Sequence, residues 1–154
     1  MAAIDTNAKV EKARALFLEG YNCAQAVYAA FAPEMGLSEK QALRAVSGMG
    51  GGMGGLRLTC GAVSSMAMVL SSLEGYDEAK DAEGKKRLYA RIQDLHKQFM
   101  DTYGTSNCAE LLKASGVAVQ AMPADRTPEY YRKRPCVRYV EACAKLLAEG
   151  LNGK

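Results

Sequence analysis

Residues 22–25 of the chain read Asn-Cys-Ala-Gln, and residues 107–110 repeat the pattern as Asn-Cys-Ala-Glu. An asparagine side chain before a helix accepts a hydrogen bond from a free backbone N–H group, and a Gln or Glu three residues later completes a capping box. Each stretch therefore predicts a helix start, with Cys23 or Cys108 in the first helical turn.

The same position is predicted for Cys60, which follows Thr59, and for Cys136, which follows Pro135. The first turn of a helix carries about half a positive elementary charge and free N–H donors, so it favours thiolate over thiol. Small side chains follow three of the four cysteines and leave room for a bulky group: Ala24, Gly61 and Ala109. The four helix starts therefore indicate reactive thiols or metal ligands, although a free cysteine is also often a small core residue.

Helical periodicity extends outward from these starts, and the period-two alternation of strands is absent. We predict one all-α domain over residues 1–154, a compact bundle of about six to seven short helices. Capping residues, glycines and apolar stripes place the helices near residues 10–19, 22–31, 38–46, 59–73, 85–103, 107–115 and 136–149. A polar connector between Gly75 and Gly84 and an irregular segment over residues 122–135 are predicted to interrupt them.

Composition excludes several functional classes. The chain has 49% apolar and 24% charged residues and a net charge of +3 with dispersed basic residues, which is typical of a globular protein without a nucleic-acid footprint. The N-terminus lacks a secretory pattern, and the most apolar region, Cys60–Leu73, is too short to span a bilayer. We therefore expect a cytoplasmic protein without nucleic-acid or membrane partners. In that compartment its five cysteines are not expected to form a disulfide framework.

The fifth cysteine and the single histidine are interpreted as structural. Cys143 shares a stripe with Cys136, Val140 and Leu147, and it lies two helical turns from Cys136, so we expect it in the core. His96 lies on the apolar stripe of the longest helix, where a structural role is favoured over ligation. No C-x-x-C pair occurs, which excludes a thioredoxin motif and a zinc knuckle.

A glycine-rich loop at residues 48–55 leads into Cys60. It formally matches the Gly-x-Gly-x-x-Gly dinucleotide fingerprint, but no strand precedes it, so that assignment is rejected. Two interpretations remain. The loop is a flexible link between helices, or its N–H groups surround sulfur atoms or a cofactor, with Met49 and Met53 shielding the site from water.

In their order along the chain, the motifs GYNCAQAV, the glycine run, CGAVSS, YGTSNCAEL and RPCVRYVEAC resemble the C_GCAxxG_C_C family of redox-active proteins. The resemblance extends from about Ala13 to Leu147. It implies a small helical protein with four hallmark cysteines, which correspond here to Cys23, Cys60, Cys108 and Cys136. Ser65 replaces the final glycine of the Cys-Gly-Ala-x-x-Gly motif, and because serine is also small, close helix packing should survive.

The leading hypothesis is a redox or electron-transfer protein in which these four cysteines bind an iron–sulfur cluster. Gly61 is assigned as a further cofactor-binding residue, because its amide, with those of Ala24 and Ala109, would donate hydrogen bonds to the cluster. The alternatives are metal-free thiol–disulfide redox, a structural four-cysteine zinc site in a scaffold module, and a plain interaction module. A redox partner protein is expected without being identified, a homodimer is compatible with the composition, and enzymatic turnover is left open.

Overall fold

The computed structural model describes residues 1–153, and that range contains eight α-helices and one short 3-10 helix. The α-helices are α1 (Thr6–Glu19), α2 (Cys23–Ala30), α3 (Glu39–Ala45), α4 (Gly61–Glu74), α5 (Ala82–Tyr103), α6 (Cys108–Ala114), α7 (Pro128–Lys133) and α8 (Cys136–Leu151). Within the described residues, the only β pairing is an isolated bridge between Thr59 and Asn107. The predicted all-α class is confirmed, and the helix count is slightly above the expected six to seven.

Helix α2 lies at the centre of the bundle, where it contacts α1, α3, α4 and α8. Its sequence, CAQAVYAA, is apolar on nearly every side, and six of its eight residues are buried. A helix without a polar face is stable in water only when neighbouring helices cover it. Its alanines also allow those neighbours to approach closely, so the surrounding helices are arranged around α2.

Most predicted boundaries are confirmed. Gly20 ends α1 and Gly104 ends α5, while Ser38 and Gln41 form the predicted capping box before α3. Gly84, however, does not bound a connector. It lies in the first turn of α5, where its N–H donates a 2.8 Å hydrogen bond to the Asp81 side chain.

Helix α7 was not predicted, because three prolines and several charged residues in the segment 122–135 indicated an irregular structure. Thr127 caps this helix by accepting a 3.1 Å hydrogen bond from the Tyr130 N–H. Pro128 occupies the first helical position, where its missing N–H costs nothing. A proline that starts a helix and one that breaks it therefore look alike in the sequence.

One hydrophobic core draws on helices along the whole chain, with Phe17, Phe31 and Phe99 among its largest buried side chains. Cys143 is fully buried within it, as predicted from the stripe on α8. None of the helices in residues 1–153 combines the length and apolar character needed to cross a membrane.

Small residues bring α2 and α4 together. Ser65 on α4 is completely buried and donates a 2.8 Å hydrogen bond from Oγ to the carbonyl oxygen of Ala24 on α2. Its small side chain preserves the close packing expected at this position, and its hydroxyl adds a bond that glycine could not make.

Substitution of Ser65 with alanine should lower the free energy of unfolding by about 1 kcal/mol, because a buried hydrogen bond is lost while the packing volume is nearly kept. Urea unfolding followed by circular dichroism measures this change.

Ser71→Ala provides the matched control on the same helix. Ser71 is exposed and bonds only to Ala67 one turn earlier, so its replacement should change stability by less than about 0.5 kcal/mol. Equal effects of the two substitutions would contradict a specific role for the Ser65 bond.

Candidate functional site

Four of the five cysteines line a single cavity of about 560 Å³: Cys23, Cys60, Cys108 and Cys136. They come from the starts of α2, α4, α6 and α8, which converge on the cavity from different sides. Cys143 is not part of the cavity wall. The residues selected from helix starts are therefore brought together in space, and the residue assigned to the core is kept apart.

The start of α2 is built as the sequence predicts. Asn22 Oδ1 accepts a 2.9 Å bond from the Gln25 N–H, and Gln25 Oε1 accepts a 3.1 Å bond from the Asn22 N–H. This complete capping box holds Cys23 in the first helical position, where its half-buried thiol reaches the cavity. Cys60, at the start of α4, lines the same cavity.

Gly61 is required by the close approach of α4 to this pair. A Cβ atom at position 61 would lie 2.8 Å from Cys23 Sγ, 2.9 Å from the Met49 carbonyl oxygen and 3.0 Å from Ala24 Cβ. No larger residue fits without displacing the helix. Gly61 therefore acts at the site through its lack of a side chain and through its backbone N–H, which donates to the Cys23 sulfur.

The starts of α4 and α6 are tied together by backbone hydrogen bonds. The Cys60 N–H donates to the Ser106 carbonyl oxygen at 2.8 Å, and the Cys108 N–H donates to the Leu58 carbonyl oxygen at 2.6 Å. These bonds flank the Thr59–Asn107 bridge. Thr59 is therefore not the helix cap that was expected, because Cys60 itself occupies the N-cap position of α4.

The predicted capping box at α6 is only half present. Asn107 Oδ1 accepts a 3.0 Å bond from the Glu110 N–H, but the Asn107 N–H donates to Thr105 Oγ1 instead of the Glu110 side chain. The Ala109 amide is also already engaged, since it donates to the Arg57 carbonyl oxygen at 3.4 Å. The expected role of Ala109 as a donor to a cofactor stays a prediction, and it would require this bond to break.

The Cys23 thiol is the acidic one. The hydrogen bond from Cys60, together with N–H donors from Gly51, Gly61 and Ala62, lowers the pKa of Cys23 from 9.0 to about 6 against the opposing effect of burial. Hydrogen bonds to sulfur stabilise the thiolate more than the thiol. At neutral pH, Cys23 is therefore mostly ionised.

The pKa values of Cys60 and Cys136 do not follow the uniform activation that helix starts suggested. Cys60 has a pKa well above 9.0, first because it donates to Cys23 and must keep its proton to do so, and second because it is buried. Burial likewise raises the pKa of Cys136 to about 12 and that of Cys143 well above 9.0. Removal from water outweighs the helix dipole at these positions.

The glycine-rich loop is a folded wall of the cavity and not a flexible link. The N–H groups of Gly54, Arg57 and Leu58 donate back across the loop at 2.7, 2.9 and 3.0 Å. Gly51 has φ +63°, a conformation that glycine adopts readily, and its N–H donates to the Cys23 sulfur. The interpretation of the loop as a cradle for sulfur is thus favoured.

Two further expectations about side chains have different outcomes. Met53 is 43% exposed and does not shield the site, whereas Met49 packs partly buried against the core.

His96 lies outside the cysteine cavity, and its Nε2 lies 2.8 Å from Ser106 Oγ. Because the Ser106 carbonyl accepts from Cys60, His96 supports the backbone at the start of α4, which is the structural role that was predicted.

The positions of the candidate ligand atoms do not match a metal site. In the described part of the chain, no three side chains of His, Cys, Asp or Glu are grouped closely enough to hold a metal ion. Four thiols share the cavity, and Cys23 and Cys60 are the two for which each thiol is the first cause of the other's pKa shift. The arrangement as it stands therefore matches a thiol pair with two further thiols nearby.

Sequence reasoning missed three arginines of the cavity wall: Arg57, Arg126 and Arg134. An Arg57 side-chain nitrogen, Nη1, lies 3.5 Å from Cys108 Sγ. Arg126 donates to the carbonyl oxygens of Phe17 and Tyr21 at 3.2 and 3.0 Å, which fixes the segment before α7 against α1. For Arg126 and Arg134, the only available signal was the run of basic residues in the segment 122–135, which was interpreted as irregular.

Alkylation of Cys23 by iodoacetamide should reach half its maximal rate near pH 6, because the thiolate is the nucleophile and its proton is lost around that pH. An ordinary thiol reaches that point near about pH 8.5. Mass spectrometry of peptides from protein labelled at pH 5 to 9 measures the rate at each cysteine.

Cys60→Ala removes the first cause of the shift and should move the Cys23 midpoint upward, while Cys60→Ser keeps an O–H donor and should move it less. Cys136, with a pKa of about 12, serves as the internal control and should remain unmodified over this range. A Cys23 midpoint near pH 8.5 in the unaltered protein would contradict the described hydrogen bonding.

Comparison with known proteins gives one match. The profile of a family described as "Putative redox-active protein (C_GCAxxG_C_C)" matches residues 21–150. No curated protein and no solved structure matches the chain. The matched range contains all four cavity cysteines and the Cys-Gly-Ala motif at Cys60. The chain therefore belongs to the C_GCAxxG_C_C family.

Proposed function

We propose that this protein is a thiol–disulfide redox protein in which Cys23 and Cys60 form the reactive pair. The observation that carries the proposal is the close approach of Gly61, the residue after Cys60, to the Cys23 sulfur at the wall of a shared cavity. A disulfide can form only between sulfurs that come into contact, and Cys23 and Cys60 are the two cavity cysteines for which each thiol is the first cause of the other's pKa shift.

The two thiols have properties suited to different steps. Cys23 is largely thiolate at neutral pH, so it is the nucleophile that attacks a substrate disulfide. Cys60 keeps its proton and therefore waits until a mixed disulfide forms on Cys23, when it attacks and releases the product. A redox partner protein or a small thiol would then reduce the pair again, and the reducing cytoplasm is the compartment in which such a cycle would operate.

Oxidation with diamide should produce a disulfide between Cys23 and Cys60, so the free-thiol count should fall by two from the five cysteines of the chain. Peptide mapping without reduction identifies the pairing. Cys143→Ser should behave like the unaltered protein, since Cys143 lies outside the cavity, whereas Cys23→Ser should abolish the pairing. A disulfide between any other two cysteines as the main product would contradict the assignment.

Iron–sulfur binding is the second candidate, favoured by the presence of four thiols around one cavity. The residues that would hold the group are Cys23, Cys60, Cys108 and Cys136, with the Gly61 amide directed at sulfur. A bound cluster would supply one-electron transfer, and zinc at the same cysteines would instead give a structural site. Either metal requires the four sulfurs to lie closer together than in the arrangement described above.

These candidates are distinguished by measuring how much iron, zinc and acid-labile sulfide is bound per chain in protein purified without oxygen. If the thiol pair is the functional unit, we expect less than about 0.1 equivalent of metal per chain. A metal bound tightly by four thiolates would instead remain on the protein during purification. Equal amounts of iron and sulfide that are lost in Cys60→Ser and kept in Cys143→Ser would replace the thiol–disulfide proposal with the cluster. Zinc that follows the same pattern would instead support the structural site.

A further inference from the structure

The wall of the cysteine cavity has a net positive charge, because three guanidinium groups face a single thiolate, that of Cys23. It contains Arg57, Arg126 and Arg134, and within residues 1–153 no aspartate or glutamate contributes to the same wall. Asp125 and Glu129 are close to Arg126 along the chain, but both are exposed and lie outside the cavity wall. The Glu129 carboxylate forms an ion pair with Lys133 at 2.8 Å.

None of the three cavity arginines forms an ion pair with a carboxylate in the described part of the chain. Arg57 Nε donates to the Gln120 carbonyl oxygen at 2.7 Å, and Arg126 donates to two backbone carbonyls. The Arg134 guanidinium lies 4.9 Å from the centre of the Tyr130 ring, which contributes π-electron density but no negative charge. Like charges repel, so three guanidiniums around one cavity favour an anionic occupant.

The cavity volume narrows the class of occupant. At about 560 Å³ the cavity lies within the usual range for small organic ligands, which is about 300–1,000 Å³, and far exceeds the volume of a simple inorganic oxyanion. Guanidinium groups match the planar geometry of carboxylates and bind them with paired hydrogen bonds.

We propose that the cavity binds a small organic disulfide bearing carboxylate groups, held by Arg134 and its neighbouring arginines beside the Cys23–Cys60 pair. This inference rests on the proposed thiol–disulfide function and names its substrate class. Arg134 is the residue best placed to respond to a ligand, because its half-buried side chain has no hydrogen-bond partner within the described residues, whereas Arg57 and Arg126 hold the backbone.

The reaction conserves atoms and electrons. The Cys23 thiolate attacks one sulfur of the small disulfide, its S–S bond breaks, and one small thiolate leaves. Cys60 then attacks the Cys23 sulfur of the mixed disulfide, its proton passes to solvent or to the leaving sulfur, and the second small thiol departs. Two electrons pass from the cysteine pair to the substrate, which becomes two thiols, and the protein retains a Cys23–Cys60 disulfide.

Three disulfides of nearly equal shape test the charge preference: 3,3′-dithiodipropionate (anionic), 2-hydroxyethyl disulfide (neutral) and cystamine (cationic). Each reacts with the reduced full-length protein and, separately, with a small neutral reference thiol, so that intrinsic reactivity is divided out. We expect the normalised rate for the anionic disulfide to exceed that for the cationic one by at least about tenfold, and this ratio to decrease in 0.5 M salt.

Arg134→Gln should reduce the ratio between anionic and cationic disulfides by about threefold or more, while the rate for the neutral disulfide stays nearly constant. Arg87→Gln removes the same charge from an exposed position on α5 away from the cavity and should leave the ratio unchanged. Circular dichroism verifies that both variants are folded.

The possible outcomes distinguish the preference for anionic disulfides from the thiol–disulfide function itself. Reduction of all three disulfides at equal normalised rates, or a salt-independent ratio, would overturn the charged-substrate inference and leave the thiol–disulfide function intact. Failure to reduce even the neutral disulfide would overturn that function and the inference together. An equal loss of the ratio in Arg87→Gln would show that net charge, and not the cavity, sets the preference.

Discussion

The close approach of α2 and α4 is the constraint on which the site depends. Gly61 and Ser65 lie one turn apart on the same face of α4, and both face the start of α2, where Cys23 and Ala24 lie. A side chain at position 61 would push the helices apart and separate Cys23 from Cys60. The spacing of the Cys-Gly-Ala-x-x-Gly motif therefore has a physical reason: its two small positions form the contact surface that sets the distance between the paired thiols.

Burial and hydrogen bonding divide the cysteines into different chemical types. All four cavity cysteines lie at helix starts, yet the pKa is lowered for Cys23 and raised for Cys60 and Cys136. The difference comes from which sulfur receives N–H donors and which loses water. A folded glycine-rich loop supplies part of that difference, since Gly51 donates to Cys23 and to none of the others named here. One cavity can therefore contain an attacking thiolate and a protonated resolving thiol.

Arginines and cysteines line the same cavity. The glycine-rich loop and the segment before α8 bring arginines to the wall that the cysteines line, although these residues are far apart along the chain. Their positive charges stabilise thiolates and attract anions by the same Coulomb interaction. The segment over residues 122–135, which offered no regular pattern, thus contributes the charged part of the site through α7 and Arg126.

The sequence by itself determined the all-α class, most helix boundaries, the four cysteines of the cavity and the separation of Cys143, because capping residues and apolar periodicity act locally. The tertiary structure decided which thiols touch, which are buried, and that Cys60 rather than Thr59 caps α4. It also decided that the glycine-rich loop is folded, that a helix follows Thr127, and that three arginines line the cavity. These features depend on contacts between segments distant along the chain, and no local pattern encodes the solvent exposure or the neighbours that such contacts create.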